Sequence, residues 1–163
     1  RHAPCRRSGF ADYAVERMRI CVLPGPNLNL LGTREPELYG TVTLSEIDEQ
    51  LRVRGSELGA RIQSCQSNHE GELVHQIQRL SEDVDGWLVN AAGLTHSSVA
   101  LRDALVASRK PFVEVHLTNI YAREPFRHRS LLSDVALGVV AGFGARSYRF
   151  GLDGLLDGIR TTG

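Results

Sequence analysis

Short apolar, β-branched runs alternate with amphipathic helical patterns along this chain, and few folds can accept that alternation. Strand-like runs stand at MRICVLP (18–24), ARIQSCQ (60–66), GWLVN (86–90) and PFVEVHL (111–117), with a fifth inside DVALGVVAGFG (134–144). Between the first two, Thr43-Leu44-Ser45-Glu46 has the spacing of a capping box, and Leu44, Ile47, Leu51 and Leu58 then share a helical face. Ser67-Asn68-His69-Glu70 repeats the box spacing before a second helix carrying Leu73, Ile77 and Leu80. HSSVALRDALVAS (96–108) reads as a third helix, and Leu152, Leu155, Leu156 and Ile159 line a last one. The order β-α-β-α-β-α-β-β-α with short links predicts a parallel sheet with helices on both faces. Five strands favour the α/β flavodoxin-like doubly wound sheet, order 2-1-3-4-5.

The chain of 163 residues is long enough for one domain with a sizeable core, assigned here to 18–163. Residues 1–17 carry no apolar periodicity and no apolar signal core, and read as a flexible extension. Basic and acidic residues balance at 19 each, so no net field draws nucleic acid or an anionic membrane. No apolar run approaches the roughly 20 residues of a membrane span. The expected partner is therefore a small molecule or another copy of the chain. Cys5, Cys21 and Cys65 lack metal-type spacing, and their scatter favours reduced thiols in the cytoplasm.

In a doubly wound sheet, ligands sit beyond the carboxyl ends of the strands. Polar segments follow four of the strand runs: GPNLNLLGTREPELYG, QSNHEGE, NAAGLTH and HLTNIYAREPFRHRS. The opposite rim has plain turns, so the polar rim is the candidate active site. GPNLNLLG is neither a dinucleotide fingerprint nor a P-loop. The histidines lack ligand spacing for a metal, and no Gly-x-Ser-x-Gly elbow is present. Lys110, the only lysine, enters strand four at the wrong rim for a Schiff base.

Acid–base chemistry remains. His116 ends strand four, and Glu114 lies on the same strand face, where it can hold the imidazole in one tautomer. Tyr39 follows Arg34 in the long first loop, and nearby guanidinium groups favour a phenolate over a phenol. Arg123 and Arg127, four apart, share a face if this stretch is a helical turn, which suits an anionic or hydroxylated substrate.

The four rim motifs together, in register from Met18 to the last helix, resemble the type II 3-dehydroquinate dehydratases. The resemblance implies a lyase that converts 3-dehydroquinate to 3-dehydroshikimate, in the shikimate pathway or quinate catabolism, without metal or cofactor. It also implies a homododecamer built from four trimers. By the same resemblance, Tyr39 is the base at C2, with Arg34 and Arg123 beside it, and Asn27 holds a water that stabilises the enolate. His116, backed by Glu114, protonates the departing C1 hydroxyl. Asn90, Leu117 and Thr118 hold the substrate carboxylate, while His96 and Arg127 contact ring hydroxyls. Asp103 reaches the site of a neighbouring subunit. Thr118 and Pro125 stand where Ser and Glu are usual, and Pro125 stiffens the turn between the two arginines. The alternative is a non-catalytic flavodoxin-like module binding a nucleotide or flavin.

Overall fold

The computed structural model describes residues 17–33 and 35–162, so the expected extension lies almost wholly outside the described residues. Five strands form one sheet: β1 (Met18–Pro24), β2 (Ala60–Ser64), β3 (Gly86–Asn90), β4 (Phe112–His116) and β5 (Gly138–Ala141). Their order is β2-β1-β3-β4-β5 and every pairing is parallel, as the alternation predicts. The helices are α1 (Pro36–Tyr39), α2 (Leu44–Glu57), α3 (Glu70–Leu80), α4 (Val99–Ala107) and α5 (Arg146–Thr162).

Strand alternation divides the core into two layers. Ile20, Val22, Leu88, Val113 and Val115 pack toward α2 and α5, where Ile47, Leu51, Leu152, Leu155 and Leu156 are buried. Cys21, Leu23, Trp87, Val89 and Phe112 face the other layer, against Leu73, Ile77, Leu80, Leu101 and Leu105 of α3 and α4. Each such side chain contributes about 1.5–3 kcal/mol relative to exposure. Both nitrogens of an Arg54 fork bond Asp153 at 2.9 and 3.0 Å, tying α2 to α5.

The first capping box forms. Thr43 Oγ1 accepts from the Glu46 N–H at 3.2 Å, and Glu46 accepts from the Thr43 N–H at 2.7 Å. That backbone N–H, then the Thr43 hydroxyl, hold the Glu46 carboxyl below its ordinary range. The second box does not form. His69 is the N-cap of α3 and gives no side-chain cap, while Ser67 Oγ accepts from the His69 N–H at 3.0 Å in a tighter local turn. The third helix is shorter than its pattern: Ser98 caps α4 by accepting from Leu101 N–H, and Ala92–His96 form a separate 3₁₀ turn.

Arg123 and Arg127 do not share a helical turn. Arg123 is extended (φ −108°, ψ −166°) at the end of one 3₁₀ turn, and Arg127 closes the next, Pro125–Arg127. Pro125 occupies the first position of that turn, where its missing N–H costs nothing. Cys21 is a free, buried thiol, and burial pushes it well above its ordinary range. Its sulfur lies 3.7 Å from that of Cys65, and Cys5 falls outside the described residues. Among the described residues no helix is long and apolar enough to cross a membrane.

Gly25 couples the sheet to the first loop. Its N–H bonds the Asn90 carbonyl at 2.8 Å, and a Cβ there would meet the Ala91 carbonyl oxygen at 2.5 Å. Because the obstacle is backbone, Gly25→Ala is expected to cost about 1–3 kcal/mol. A denaturant midpoint unchanged from wild type would contradict this close approach.

Candidate active site

One pocket opens beyond the carboxyl ends of β1, β3 and β4. It is lined by Asn27, Leu28 and Leu31 of the first loop, Tyr39 of α1, Asn90 and His96 after β3, and His116, Leu117, Thr118, Arg123 and Arg127 after β4. The loop after β2 supports this pocket without lining it, which narrows the expected four-loop rim. Asn68 Oδ1 accepts from the Asn27 N–H at 2.9 Å and from Gln66 Nε2 at 3.0 Å. These bonds hold Asn27 in the left-handed region, φ 68°, which an asparagine tolerates better than most residues.

Tyr39 is half-buried at the end of the four-residue α1. The Arg123 Nη1 donates to its phenolic oxygen at 2.9 Å, and the guanidinium carbon lies 5.6 Å from the ring centroid. The two residues are 84 apart in sequence, so this pairing is tertiary. A guanidinium N–H binds an oxygen more strongly as negative charge develops on it. Arg123 is itself steadied by Glu124, whose Oε2 is 3.5 Å from Nε and also accepts from Arg127 Nε at 3.0 Å. Thus the two arginines that were expected to share a helical face are gathered instead around one carboxylate. Arg34 lies outside the described residues.

Across the pocket, His116 Nε2 lies 2.6 Å from Glu114 Oε1. Glu114 is fully buried and His116 nearly so, because both side chains leave the same face of β4. Ser130 Oγ also reaches Glu114 Oε1, at 2.8 Å. His96 stacks on His116 with ring centroids 6.5 Å apart, and the Arg129 carbonyl, 2.7 Å from His96 Nδ1, requires that nitrogen to carry a proton.

Asn90 ends β3 and is buried. Its Oδ1 accepts from the Ala92 N–H at 3.2 Å, and its Nδ2 donates to the Tyr148 hydroxyl at 3.0 Å. Leu117 and Thr118 continue β4 into the pocket wall. Asp103 does not join them: it is exposed on α4 and does not line the pocket of its own chain. Among the described residues no cluster of three or more His, Cys, Asp or Glu is arranged to hold a metal.

The family model for class II dehydroquinases matches residues 18–156. The chain belongs to this family. It is 56% identical over 143 residues to a 3-dehydroquinate dehydratase of Synechococcus sp. strain WH7803, covering 88% of this chain and 97% of the relative. A 3-dehydroquinate dehydratase of Bordetella avium is 57% identical over 134 residues, covering 82% and 93%. The crystal structure of the type II dehydroquinase of Propionibacterium acnes superposes with a TM-score of 0.82 at 38% identity, covering 86% of this chain and 99% of that one.

Of the expected site residues, the dehydroquinase fold gathers ten. Asn27, Tyr39, Asn90, His96, His116, Leu117, Thr118, Arg123 and Arg127 line the pocket, and Glu114 lies directly behind His116. Sequence reasoning missed Tyr148 and Ser130. Tyr148 reads as a core aromatic on an amphipathic helix, and its bond to Asn90 spans 58 residues. Burial pushes its phenol above the ordinary range, so it stays neutral. Tyr148→Phe removes the acceptor of a buried amide N–H and should cost about 1–3 kcal/mol in urea denaturation. A variant as stable as wild type would show that Asn90 is held by other contacts.

Proposed function

We propose that this chain removes water from 3-dehydroquinate to give 3-dehydroshikimate, by acid–base elimination through an enolate. One observation carries the reading within this family. Two proton-handling side chains, Tyr39 and His116, line a single pocket, each with a charged partner already bonded to it.

The proposed steps follow from that pairing. Tyr39, as a phenolate facing Arg123, takes the C2 proton next to the ketone. The enolate oxygen is met by a water that Asn27 orients, and fixed donors stabilise the charge as it forms. His116 gives a proton to the C1 hydroxyl, which leaves as water. Leu117 and Thr118 N–H groups and Asn90 take the substrate carboxylate, and His96 and Arg127 take ring hydroxyls. Arg34 belongs to the same loop as Tyr39, and closing that loop would exclude water and complete the base. No step draws on a bound metal or organic cofactor.

The proposal extends to assembly. Asp103 is exposed and away from its own pocket, which supports a role in the site of a neighbouring subunit, within trimers assembled as a homododecamer. We infer a cytoplasmic enzyme whose single domain spans residues 18–163.

Tyr39→Phe should lower kcat by at least about a hundredfold, the usual scale for losing a general base, with the circular dichroism spectrum unchanged. Full activity in that variant would overturn the base assignment. Asp103→Ala should lower turnover only if subunits complete one another's sites. Sedimentation that gives a fully active monomer would refute that arrangement.

A further inference from the structure

Glu114 is buried to 0% exposure in the central part of the sheet, and its Oε2 has no hydrogen-bond partner among the described residues. Its other oxygen therefore carries all the polar satisfaction of a buried carboxyl group, an arrangement that is costly unless the donors are well fixed. Two groups reach Oε1: His116 Nε2 at 2.6 Å and Ser130 Oγ at 2.8 Å.

The Ser130 hydroxyl has little freedom. It accepts from the Leu132 N–H at 2.9 Å and from the Ser133 N–H at 3.1 Å. A hydroxyl has two lone pairs and one proton. With both lone pairs used by backbone donors, the proton is directed at Glu114 Oε1. That oxygen accepts from Ser130, and with Glu114 as a carboxylate it calls for a proton on the adjacent imidazole Nε2.

We infer that Ser130 is a positioning residue for the proposed dehydration: it polarises Glu114 so that His116 carries its proton on Nε2, leaving Nδ1 to exchange a proton with substrate. This inference rests on the role proposed for His116. Protons balance without any further reactant. The imidazolium gives its Nδ1 proton to the leaving hydroxyl and becomes the neutral Nε2–H tautomer. Glu114 stays a carboxylate and Ser130 keeps its proton throughout. The constraint acts from outside the pocket, since Ser130 does not line it. It also fixes the ring plane, which matters because His96 stacks on the same imidazole at 6.5 Å.

Neutron diffraction from crystals of the unliganded full chain tests the proton arrangement without reference to activity. The expected map has deuterium on His116 Nε2 and on Ser130 Oγ toward Glu114 Oε1, with none on Glu114. Deuterium on the Glu114 carboxyl, or a Ser130 hydroxyl turned elsewhere, would overturn the inference even if the enzyme is a dehydratase. Kinetics then test the consequence. Ser130→Ala should lower kcat for 3-dehydroquinate roughly tenfold to a hundredfold, the rate equivalent of one hydrogen bond to a charged group, with KM within about twofold. Ser130→Thr, which keeps the hydroxyl, should recover most of kcat. In a Glu114→Gln background, Ser130→Ala should add no further loss. Equal losses in the Ala and Thr variants, or a loss that persists undiminished in the Gln background, would mean that Ser130 only supports the loop. A wild-type chain without turnover would refute the dehydratase reading itself, and the neutron map would still decide the proton positions.

Discussion

Every pairing in the sheet is parallel, so all five strands deliver their carboxyl ends to one edge. The rest of the molecule depends on that constraint. A parallel strand must be reached by a crossover, and the crossovers here are helices that cover both faces. Irregular backbone is then left mainly at the two rims. At one of them the loops after β1, β3 and β4 close around a pocket, and the loop after β2 braces the first of these through Asn68. Gly25 sets how near the first loop can come, since its Cα approaches the backbone after β3 too closely for a side chain.

The pocket is lined by two polar side chains with different partners. Tyr39 meets a cation, Arg123, while His116 meets a buried carboxylate, Glu114. The two partners differ in charge, which suits the opposite roles of base and acid in the proposed elimination. Rigidity differs between them. Glu114 and His116 lie on a central strand, whereas Tyr39 sits on a four-residue helix after residues of positive φ at Gly32 and Glu35. The proposed acid is thus built into the sheet, and the proposed base is carried by a short helix in the first loop.

Much of this was legible in the sequence, for identifiable reasons. Strand runs buried on both sides and the Leu-rich helical faces are local patterns, and Thr43 with Glu46 is a local motif, so all could be read directly. The parallel order followed from them. Local reading failed where the chain had equivalent short-range alternatives. Ser67 had the box spacing, yet the helix begins after His69. Arg123 and Arg127 had helical spacing, yet Pro125 starts a new 3₁₀ turn between them, and Glu124 gathers the two side chains. Glu114 with His116 was visible because two residues apart on a strand means one face. Ser130 and Tyr148 were invisible because their partners lie 16 and 58 residues away, and nothing local marks either residue.

The central claim is that the chain's own rim side chains carry out the dehydration. Its most direct test is the ultraviolet absorbance of purified full-length protein mixed with 3-dehydroquinate, followed as the conjugated enone forms, with and without prior borohydride treatment in the presence of substrate. The account predicts enone formation at the same rate in both, since no imine is formed. A folded protein that yields no enone, or one that borohydride inactivates, would contradict it.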